Sequence, residues 1–559
     1  MERFRDNIVF IIICIFIISG FLVFDLFIHS GQPVTFDGPT HISNIAQMYG
    51  AMRDGEFPAR WGGGFARYGL PIPVIAQQFT SYIGAFITFA THDVTLSYNL
   101  VIFLGAFVST LAMYFFLRIY VSPFSALAGA YLFHFAPYRI MNVYIRGALP
   151  EFFSSTFIIL ILIALYIAIE KKKFIGFILL AVSVALLLLT HPFMFIVGAF
   201  LYVPYGLYLL RNQKWPEIKK ISILSICGIG LGFAIAAYFI VPLFIEIRYF
   251  YYGTTFSHFL PGHFLPLRNF IIEKWFYFYQ GDIFPRGHVH IGGVVEGIIL
   301  LISVVVAIGI YRKKKKIELL HVFALVGIIV IIFTQDITEP IYRIVVPLGN
   351  IQHPWRMMTA YVFVPPILFA LLLDKIKKQN PYILATLAVI ISVSLFRFPE
   401  LYGKNYVEHS QESYFNTDYN LHGIVMDTVW MGDERTYPYQ KQKIKVIAGD
   451  GTISDLVVQN ASRRYTIDAK TDVRIVDYTF YFPGWETKID GNKSVIQFQD
   501  PNYRGVITYD VPQGKHTIIE KFGETKIRMI GNILTILSTI MLICIYIFRK
   551  KVQSIFNYS

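Results

Sequence analysis

Two acidic residues stand where a carboxylate could do acid–base chemistry at the entrance of an apolar segment. Asp37 lies in the stretch Thr35-Phe-Asp37-Gly-Pro-Thr-His41, shortly after the first apolar run, and Glu151 opens a later run. A carboxylate in such a position can accept the proton of an attacking hydroxyl. Each also has a structural explanation, since Asp37 could cap a helix and Glu151 could favour a helix N-terminus. Local chemistry alone favours the capping interpretation for Asp37.

Basic and imidazole side chains accompany these acids. His41 would share a helix face with Asp37 if a helix begins between them. Arg146 precedes Glu151 by five residues, and His191 lies at the end of an apolar run. Arg356, in Gln352-His-Pro-Trp-Arg356, could either extend to the membrane interface or bind a phosphate.

The sequence lacks the motifs of the common soluble enzymes. We find no phosphate-binding loop, no His-Glu-x-x-His and no paired Cys-x-x-Cys. The segments that carry the acids contain no Asp-x-Asp pair, so a carboxylate cage for a divalent metal is not evident, and we predict no metal or cofactor. Each of the three cysteines lies in an apolar run, where it is expected to pack as a small hydrophobic residue.

The composition indicates a polytopic membrane protein. Of the 559 residues, 55% are hydrophobic and only 15% are charged, and the mean hydropathy is +0.54. A soluble domain usually has about 25% charged residues, and disorder requires low hydrophobicity. Soluble enzymes and disordered chains are therefore excluded.

The distribution of charge argues against nucleic-acid binding and predicts the topology. The net charge is +13, but residues 399–526 hold 15 basic and 18 acidic residues. The basic excess lies in short clusters between apolar runs, as is typical of loops on the cytoplasmic face. The clusters are Arg118, residues 171–173, residues 211–219, residues 312–316, residues 375–378 and residues 549–551.

Twelve membrane spans place every basic cluster on the cytoplasmic side. A span needs about 20 mostly apolar residues. The predicted spans are 8–28, 97–118, 122–138, 149–170, 174–190, 193–210, 222–245, 292–311, 318–334, 357–373, 381–397 and 528–548. Residues 70–90 are then expected to form an interfacial helix, because a further crossing would invert the later clusters. Both termini are predicted to be cytoplasmic, and any chemistry belongs to the extracytoplasmic side of the cell (inner) membrane.

We predict three regions: a transmembrane domain at 1–398, whose extracytoplasmic loop 29–92 carries Asp37; a β-rich extracytoplasmic domain at 399–526; and a final transmembrane helix with a cytoplasmic tail at 527–559. Short β-branched and aromatic stretches separated by glycine-containing turns favour a small β-sandwich at 399–526. It could bind an acceptor or glycan, or serve only as a structural cap. The aromatic-rich stretch 249–278 is expected to lie mainly at the membrane interface.

Several short motifs together resemble the GT-C glycosyltransferases. Asp37 after the first span, an amphipathic stretch and then Gly55 and Pro58 resemble the first external loop of that superfamily. Within it, the chain resembles the bacterial YfhO-like group, often labelled 6-pyruvoyl-tetrahydropterin-synthase-related. The closer match is carried by Arg146-Gly-Ala-Leu-Pro-Glu151, Thr190-His191, Gln352-His-Pro-Trp-Arg356, Phe482-Pro-Gly-Trp485 and Asp490-Gly491. No pterin-synthase zinc cluster is visible.

The resemblance implies a bundle of about twelve transmembrane helices and a sugar donor on a polyprenyl phosphate. It maps the catalytic acid of the family onto Asp37, whereas the second acid of many members is Gly38 here. We therefore expect a glycosyltransferase that passes a sugar to a cell-envelope glycan, lipid or protein, with inversion. The predicted catalytic residues are Asp37 and Glu151, and the predicted substrate- or phosphate-binding residues are His41, Arg146, His191 and Arg356. A lipid-sugar flippase or other transporter and a non-catalytic membrane scaffold are the alternatives.

Overall fold

The computed structural model describes residues 8–555, except 252–262, 268–290, 377–378, 399–400, 404, 418–425, 433–436 and 439. Most of the aromatic-rich stretch 249–278 therefore lies outside the described residues. Helices occupy the first 398 residues and the last segment, and strands dominate between them. The longer helices are α1 Ile8–Val23, α2 Gly38–Arg53, α3 Phe79–Thr91, α4 Val94–Arg118, α5 Pro123–His134, α6 Pro137–Tyr144, α7 Leu149–Ile169, α8 Ile175–Thr190, α9 Pro192–Leu210, α10 Trp215–Ile235, α11 Ala237–Glu246, α12 Val294–Lys314, α13 Leu319–Phe333, α14 Val364–Lys375, α15 Gln379–Arg397 and α16 Lys526–Ile547.

Each of the twelve predicted apolar runs contains a helix, but not every helix has the length of a span. Among the described residues, seven helices are long and apolar enough to cross a membrane. An eighth candidate is α13 together with 336–344, which bend by 84° at their junction. The helical membrane character is thus confirmed, while the number twelve stays a prediction. The run 222–245 is divided at Ala236 into α10 and α11.

The helix that follows Asp37, α2, contacts two other helices of the bundle. α2 packs against α3 and α4. α3 falls within the stretch for which an interfacial helix was expected. It has 13 residues, fewer than the about 20 needed to span, and it leaves Phe86 and Phe89 exposed. Both features fit a helix at the membrane surface.

The C-terminal region contains two antiparallel sheets. The strands are β3 Ile444–Ala448, β4 Gly451–Gln459, β5 Ser462–Ala469, β6 Val473–Phe480, β7 Trp485–Ile489, β8 Asn492–Ser494, β9 Val506–Val511 and β10 Gly514–Phe522. One sheet has the strand order β4-β5-β10-β7-β8 and the other the order β3-β6-β9. A further short pair joins β1 Gln32–Pro33 to β2 Tyr406–Val407. Strand-like patterns in the sequence are confined to 443–448, 456–459, 465–469, 473–482, 494–499 and 505–511, so they do not predict β7 and β10. The prediction at 494–499 was wrong, because β8 ends at Ser494 and Gln497 forms only an isolated bridge to Thr508.

The two sheets share one core, so the arrangement is sandwich-like. Tyr465 and Ile467 of β5 belong to the same buried cluster as Tyr509 of β9. Buried polar contacts also cross between the sheets, because Tyr509 donates a hydrogen bond to Glu520 of β10. Arg463 of β5 lies 3.7 Å from Asp477 of β6.

The β-domain is fixed to the bundle by aromatic and ionic contacts. Trp61 meets Trp485 edge to face, with ring centroids 5.1 Å apart. Arg528, at the start of α16, is fully buried and forms a 2.9 Å ion pair with Glu246 at the end of α11. Arg528 also donates to the carbonyl oxygen of Pro483 at 2.9 Å. The domain is therefore held against both the helical bundle and the loop 29–92, to which Trp61 belongs.

Candidate active site

Asp37 is held by its backbone rather than by its side chain. Its N–H donates to the carbonyl oxygen of Arg146 at 2.6 Å, and α2 begins at the next residue with a proline in its first turn. Asp37 occupies the N-cap position, yet its carboxylate makes no capping hydrogen bond. The capping interpretation therefore does not account for this carboxylate.

Gly147 allows the Arg146 segment to lie against the Asp37 segment. It has φ +66°, and a Cβ there would come within 2.6 Å of the Gly38 nitrogen. Gly38 is needed for a local reason, since a Cβ there would lie 2.2 Å from Thr35 Oγ1 of the same segment.

Arg146 bridges the two predicted catalytic acids. Its guanidinium, only 1% exposed, lies 2.8 Å from Glu151 Oε2 and 3.8 Å from Asp37 Oδ2. It also donates to Asn142 Oδ1 at 2.8 Å and lies 4.6 Å from the centre of the Trp355 ring. Such a buried cation is favourable only because carboxylates and an aromatic face surround it.

Glu151 is enclosed in the first turn of α7. It accepts hydrogen bonds from the Tyr138 hydroxyl and from Thr359 Oγ1 at 2.8 Å. Arg356 Nε lies 3.7 Å from its second oxygen. The carboxylate is 1% exposed, so its oxygens are engaged by the protein itself.

Asp37 differs from Glu151 because its carboxylate is 41% exposed. The carboxylate lines a cavity of about 280 Å³ that is partly open to solvent. Burial raises the pKa of Asp37 above its ordinary value, although Arg146 and Arg356 act in the opposite direction. The group is thus an accessible carboxylate of increased basicity.

All six predicted site residues line this one cavity: Asp37, His41, Arg146, Glu151, His191 and Arg356. They come from four separate parts of the chain. His191 lies at the junction of α8 and α9, where burial lowers its pKa to about 3 and Arg356 adds to the effect. The imidazole is therefore neutral at physiological pH. Arg356 donates to Gln352 Oε1 at 2.8 Å, which fixes its orientation.

The sequence analysis missed three contributors to the site. Tyr138 and Thr359 hold Glu151, and Met426 from the C-terminal region lines the cavity. Tyr138 lies in an aromatic-basic stretch that could have signalled it. Thr359 and Met426 carry no sequence signal that distinguishes them from neighbouring apolar positions.

In the part of the chain that the structure describes, no three histidine, cysteine or acidic side chains converge as a metal site would require. Asp37 and Glu151 are the acidic side chains that line the cavity, and Arg146 contacts both. The roles of the six residues, and the independence from metal, stay predictions.

The fold and site define a polytopic membrane protein with a charged cavity at one end of its helical bundle. Residues 78–400 match the family described as "6-pyruvoyl-tetrahydropterin synthase related domain; membrane protein". The match covers more than half of the chain, and the protein therefore belongs to this family. No curated protein sequence matches the chain significantly.

Two solved structures share some similarity with the chain. The oligosaccharyltransferase of Archaeoglobus fulgidus in the apo form is 12% identical, with a TM-score of 0.42 over 77% of this chain. The archaeal oligosaccharyltransferase AglB of the same organism, in complex with an inhibitory peptide and a dolichol-phosphate, is 13% identical with a TM-score of 0.41 over 77% of this chain. The matched region spans 61% of the length of either structure. Similarity at this level does not assign an activity to the chain.

Proposed function

We propose that the protein is a GT-C-like membrane glycosyltransferase that transfers a sugar from a polyprenyl-phosphate donor to an extracytoplasmic acceptor of the cell envelope. One observation carries the proposal: the uncapped, 41% exposed carboxylate of Asp37 lines a partly open cavity together with two arginines. The resemblance of the motifs to the GT-C superfamily supports the choice of donor.

Asp37 acts as the general base. Its carboxylate accepts the proton of the acceptor hydroxyl while the hydroxyl oxygen attacks the anomeric carbon of the sugar. The raised pKa of Asp37, caused by burial, makes it a stronger base than an aspartate in water. A single displacement of this kind inverts the anomeric configuration, through a transition state with oxocarbenium character.

The two arginines stabilise the leaving group. The bond between the anomeric carbon and the phosphate oxygen breaks, and its electron pair remains on the polyprenyl phosphate. Arg146 and Arg356 line the cavity, where their preorganised charges can stabilise the growing negative charge. His41 and neutral His191 supply further hydrogen-bonding groups on the cavity wall.

Glu151 contributes by orienting these arginines. Its carboxylate lies 2.8 Å from Arg146 and 3.7 Å from Arg356, and Tyr138 and Thr359 hold it in place. We therefore assign proton transfer to Asp37 and the arrangement of the cationic wall to Glu151.

The test compares two aspartates that both occupy helix N-cap positions. Asp93 at the start of α4 does cap, since it accepts a 2.9 Å hydrogen bond from Leu96 N–H. Membranes with wild-type protein, Asp37→Asn or Asp93→Asn receive a panel of radiolabelled polyprenyl-phosphate sugars, and label transferred to the envelope fraction is counted. We expect transfer by wild type and Asp93→Asn but not by Asp37→Asn at equal expression.

Equal transfer by Asp37→Asn would remove Asp37 from the reaction. Failure of the wild-type protein to transfer any sugar would overturn the glycosyltransferase proposal. Sugar flipping across reconstituted vesicles would then be measured, to separate the flippase from the scaffold.

A further inference from the structure

A groove runs along the bundle between α12 and α13, at the end opposite to the cavity. Its volume is about 480 Å³. α13 begins beside Glu318, which binds Lys375 at the C-terminal end of α14 with a 2.7 Å ion pair. Arg356 precedes the start of α14 and lines the cavity, so the length of α14 separates the two sites.

The floor of the groove is apolar and made by small residues. Ala307 of α12 and Ala324 of α13 both line it and are buried. Small side chains let two helices leave a channel between them rather than fill it. The distance from Val304 to Lys315 along α12 is about 16 Å at 1.5 Å per residue. This is close to one leaflet of the bilayer core, about 15 Å.

One end of the groove is lined by cationic and proton-donating side chains. Arg312, Lys315 and His321 line it together with Tyr311. Lys315 has φ +52°, so the chain leaves the helix there, and its amine lies 5.7 Å from the centre of the Tyr311 ring. Positive charge is thus concentrated where the apolar channel ends.

His321 presents a hydrogen-bond donor at this end. Its Nδ1 accepts the N–H of Glu318 at 3.0 Å, so the neutral ring carries its proton on Nε2. Nε2 is buried and has no hydrogen-bond partner among the residues that the structure describes. An oxygen of a bound anion would satisfy it.

We propose that this groove binds an anionic phospholipid of the surrounding bilayer. One acyl chain lies over Ala307 and Ala324, and the phosphate lies among Arg312, Lys315 and His321. An apolar channel and its cationic end, together about as long as one leaflet, fit an amphiphile with an acidic headgroup, and basic pockets between helices are suited to such headgroups. The site is independent of the glycosyltransferase proposal.

The test offers the purified full-length protein a mixture of two lipids with identical chains. Detergent micelles contain equal amounts of dioleoyl phosphatidylglycerol and dioleoyl phosphatidylcholine, and lipid retained after size-exclusion chromatography is quantified by mass spectrometry. Each basic side chain near the headgroup is worth about fivefold in affinity. We expect the phosphatidylglycerol preference to be lost in the double variant Arg312→Gln/Lys315→Gln.

A matched control comes from the same basic run. Lys313 and Lys316 do not line the groove, so Lys313→Gln/Lys316→Gln changes the net charge equally and should keep the preference. An equal loss in both double variants would overturn the proposal in favour of unspecific attraction. Equal retention of both lipids by the wild type would also overturn it.

Two further measurements distinguish binding of a lipid from binding of a soluble phosphate and provide for a variant that does not fold. Glycerol 3-phosphate should not displace the lipid, because it lacks the chain, and displacement at equal concentration would indicate a soluble phosphate instead. If the double variant does not fold, the single variant Arg312→Gln should weaken retention about fivefold, and unchanged retention would overturn the proposal.

Discussion

Two buried charged clusters of similar composition have opposite relations to solvent. The cavity cluster consists of Asp37, Arg146 and Glu151. The sheet cluster consists of Arg463, Asp477 and Glu520. In each, an arginine that is 1% exposed lies within 4 Å of at least one carboxylate. The cavity cluster keeps one carboxylate 41% exposed, whereas both acids of the sheet cluster are completely buried.

The comparison shows how a charged cluster that only stabilises the fold differs from one that can bind a ligand. In the sheet cluster the acids are satisfied within the domain, since Asp477 accepts from Thr479 at 2.8 Å and Glu520 accepts from Tyr509. The hydrogen bond from Tyr509 of β9 to Glu520 of β10 also ties the two sheets together. In the cavity cluster Glu151 performs the same structural task, and Asp37 remains available to a ligand.

The largest expected effect distinguishes the cavity cluster from the sheet cluster by what each contributes to sugar transfer. Asp37→Asn removes the general base, so transfer should fall by about 100-fold or more, while the unfolding temperature in detergent stays within the range of the wild type. Asp477→Asn should do the reverse, because it leaves the Arg463 charge buried without its partner. Its unfolding temperature should fall, with transfer per folded molecule unchanged. A loss of activity without a loss of stability in Asp477→Asn would show that the comparison is wrong.

The second prediction compares the two glutamates. Glu151→Gln leaves Arg146 and Arg356 without their shared partner and should cost about 3 kcal/mol or more of unfolding free energy. Burial, with Asp477 nearby, raises the pKa of Glu520 well above its ordinary value, which favours the neutral form of this carboxyl. Glu520→Gln should therefore cost about 1 kcal/mol or less. Thermal and denaturant unfolding in detergent measure the stability of both variants. Equal losses of unfolding free energy would contradict the assignment of a charged Glu151 and a Glu520 that favours its neutral form.

The third prediction concerns pH, where the clusters should respond in opposite senses. Transfer requires ionised Asp37, and because its pKa is raised, activity should fall on acidification at a higher pH than an ordinary aspartate would give. Since the pKa of Glu520 is raised on folding, its contribution to stability is fully present below about pH 4.5 and is lost as pH rises through the raised value. Unfolding temperature and transfer are measured from pH 4 to pH 9.

Glu520→Gln provides the control for this pH series. It should flatten the dependence of the unfolding temperature and leave the pH profile of transfer unchanged. If the variant keeps the full pH dependence of stability, another group is responsible.

The chemistry of the site could be predicted further than its geometry. Asp37, Arg146 and Glu151 stand in short motifs at the ends of apolar runs, and the boundary between apolar and polar sequence places them at one membrane face. Their convergence depends on Gly147, because a Cβ there would collide with Gly38 of a segment more than a hundred residues away. No local pattern contains that information.

In the C-terminal domain, sequence patterns failed to predict a whole strand. β10 was missed because His516 and Glu520 place polar side chains at inward-facing positions, which interrupts the expected alternation. Glu520 faces inward nevertheless, because Tyr509 on the opposite sheet supplies its hydrogen bond. A buried acid is recognisable only when its partner is known, and here the partner belongs to another strand.

The smallest expected effect tests the ionisation of the two glutamates through their tyrosine partners. Tyr138→Phe removes a hydrogen bond to Glu151, which Arg146 at 2.8 Å keeps charged. Tyr509→Phe removes one to Glu520, whose raised pKa favours the neutral form. Hydrogen bonds to charged groups contribute about 1.5–3 kcal/mol and neutral ones about 0.5–1.5 kcal/mol.

Tyr138→Phe should therefore destabilise the protein more than Tyr509→Phe, although each removes one hydroxyl. Tyr138 also accepts a 3.1 Å hydrogen bond from Arg146, so its loss should lower transfer moderately, whereas Tyr509→Phe should leave transfer unchanged. Denaturant unfolding at pH 7 gives the ranking. The reverse ranking would mean that Glu520, rather than Glu151, carries the charge, and would exchange the roles assigned to the two clusters.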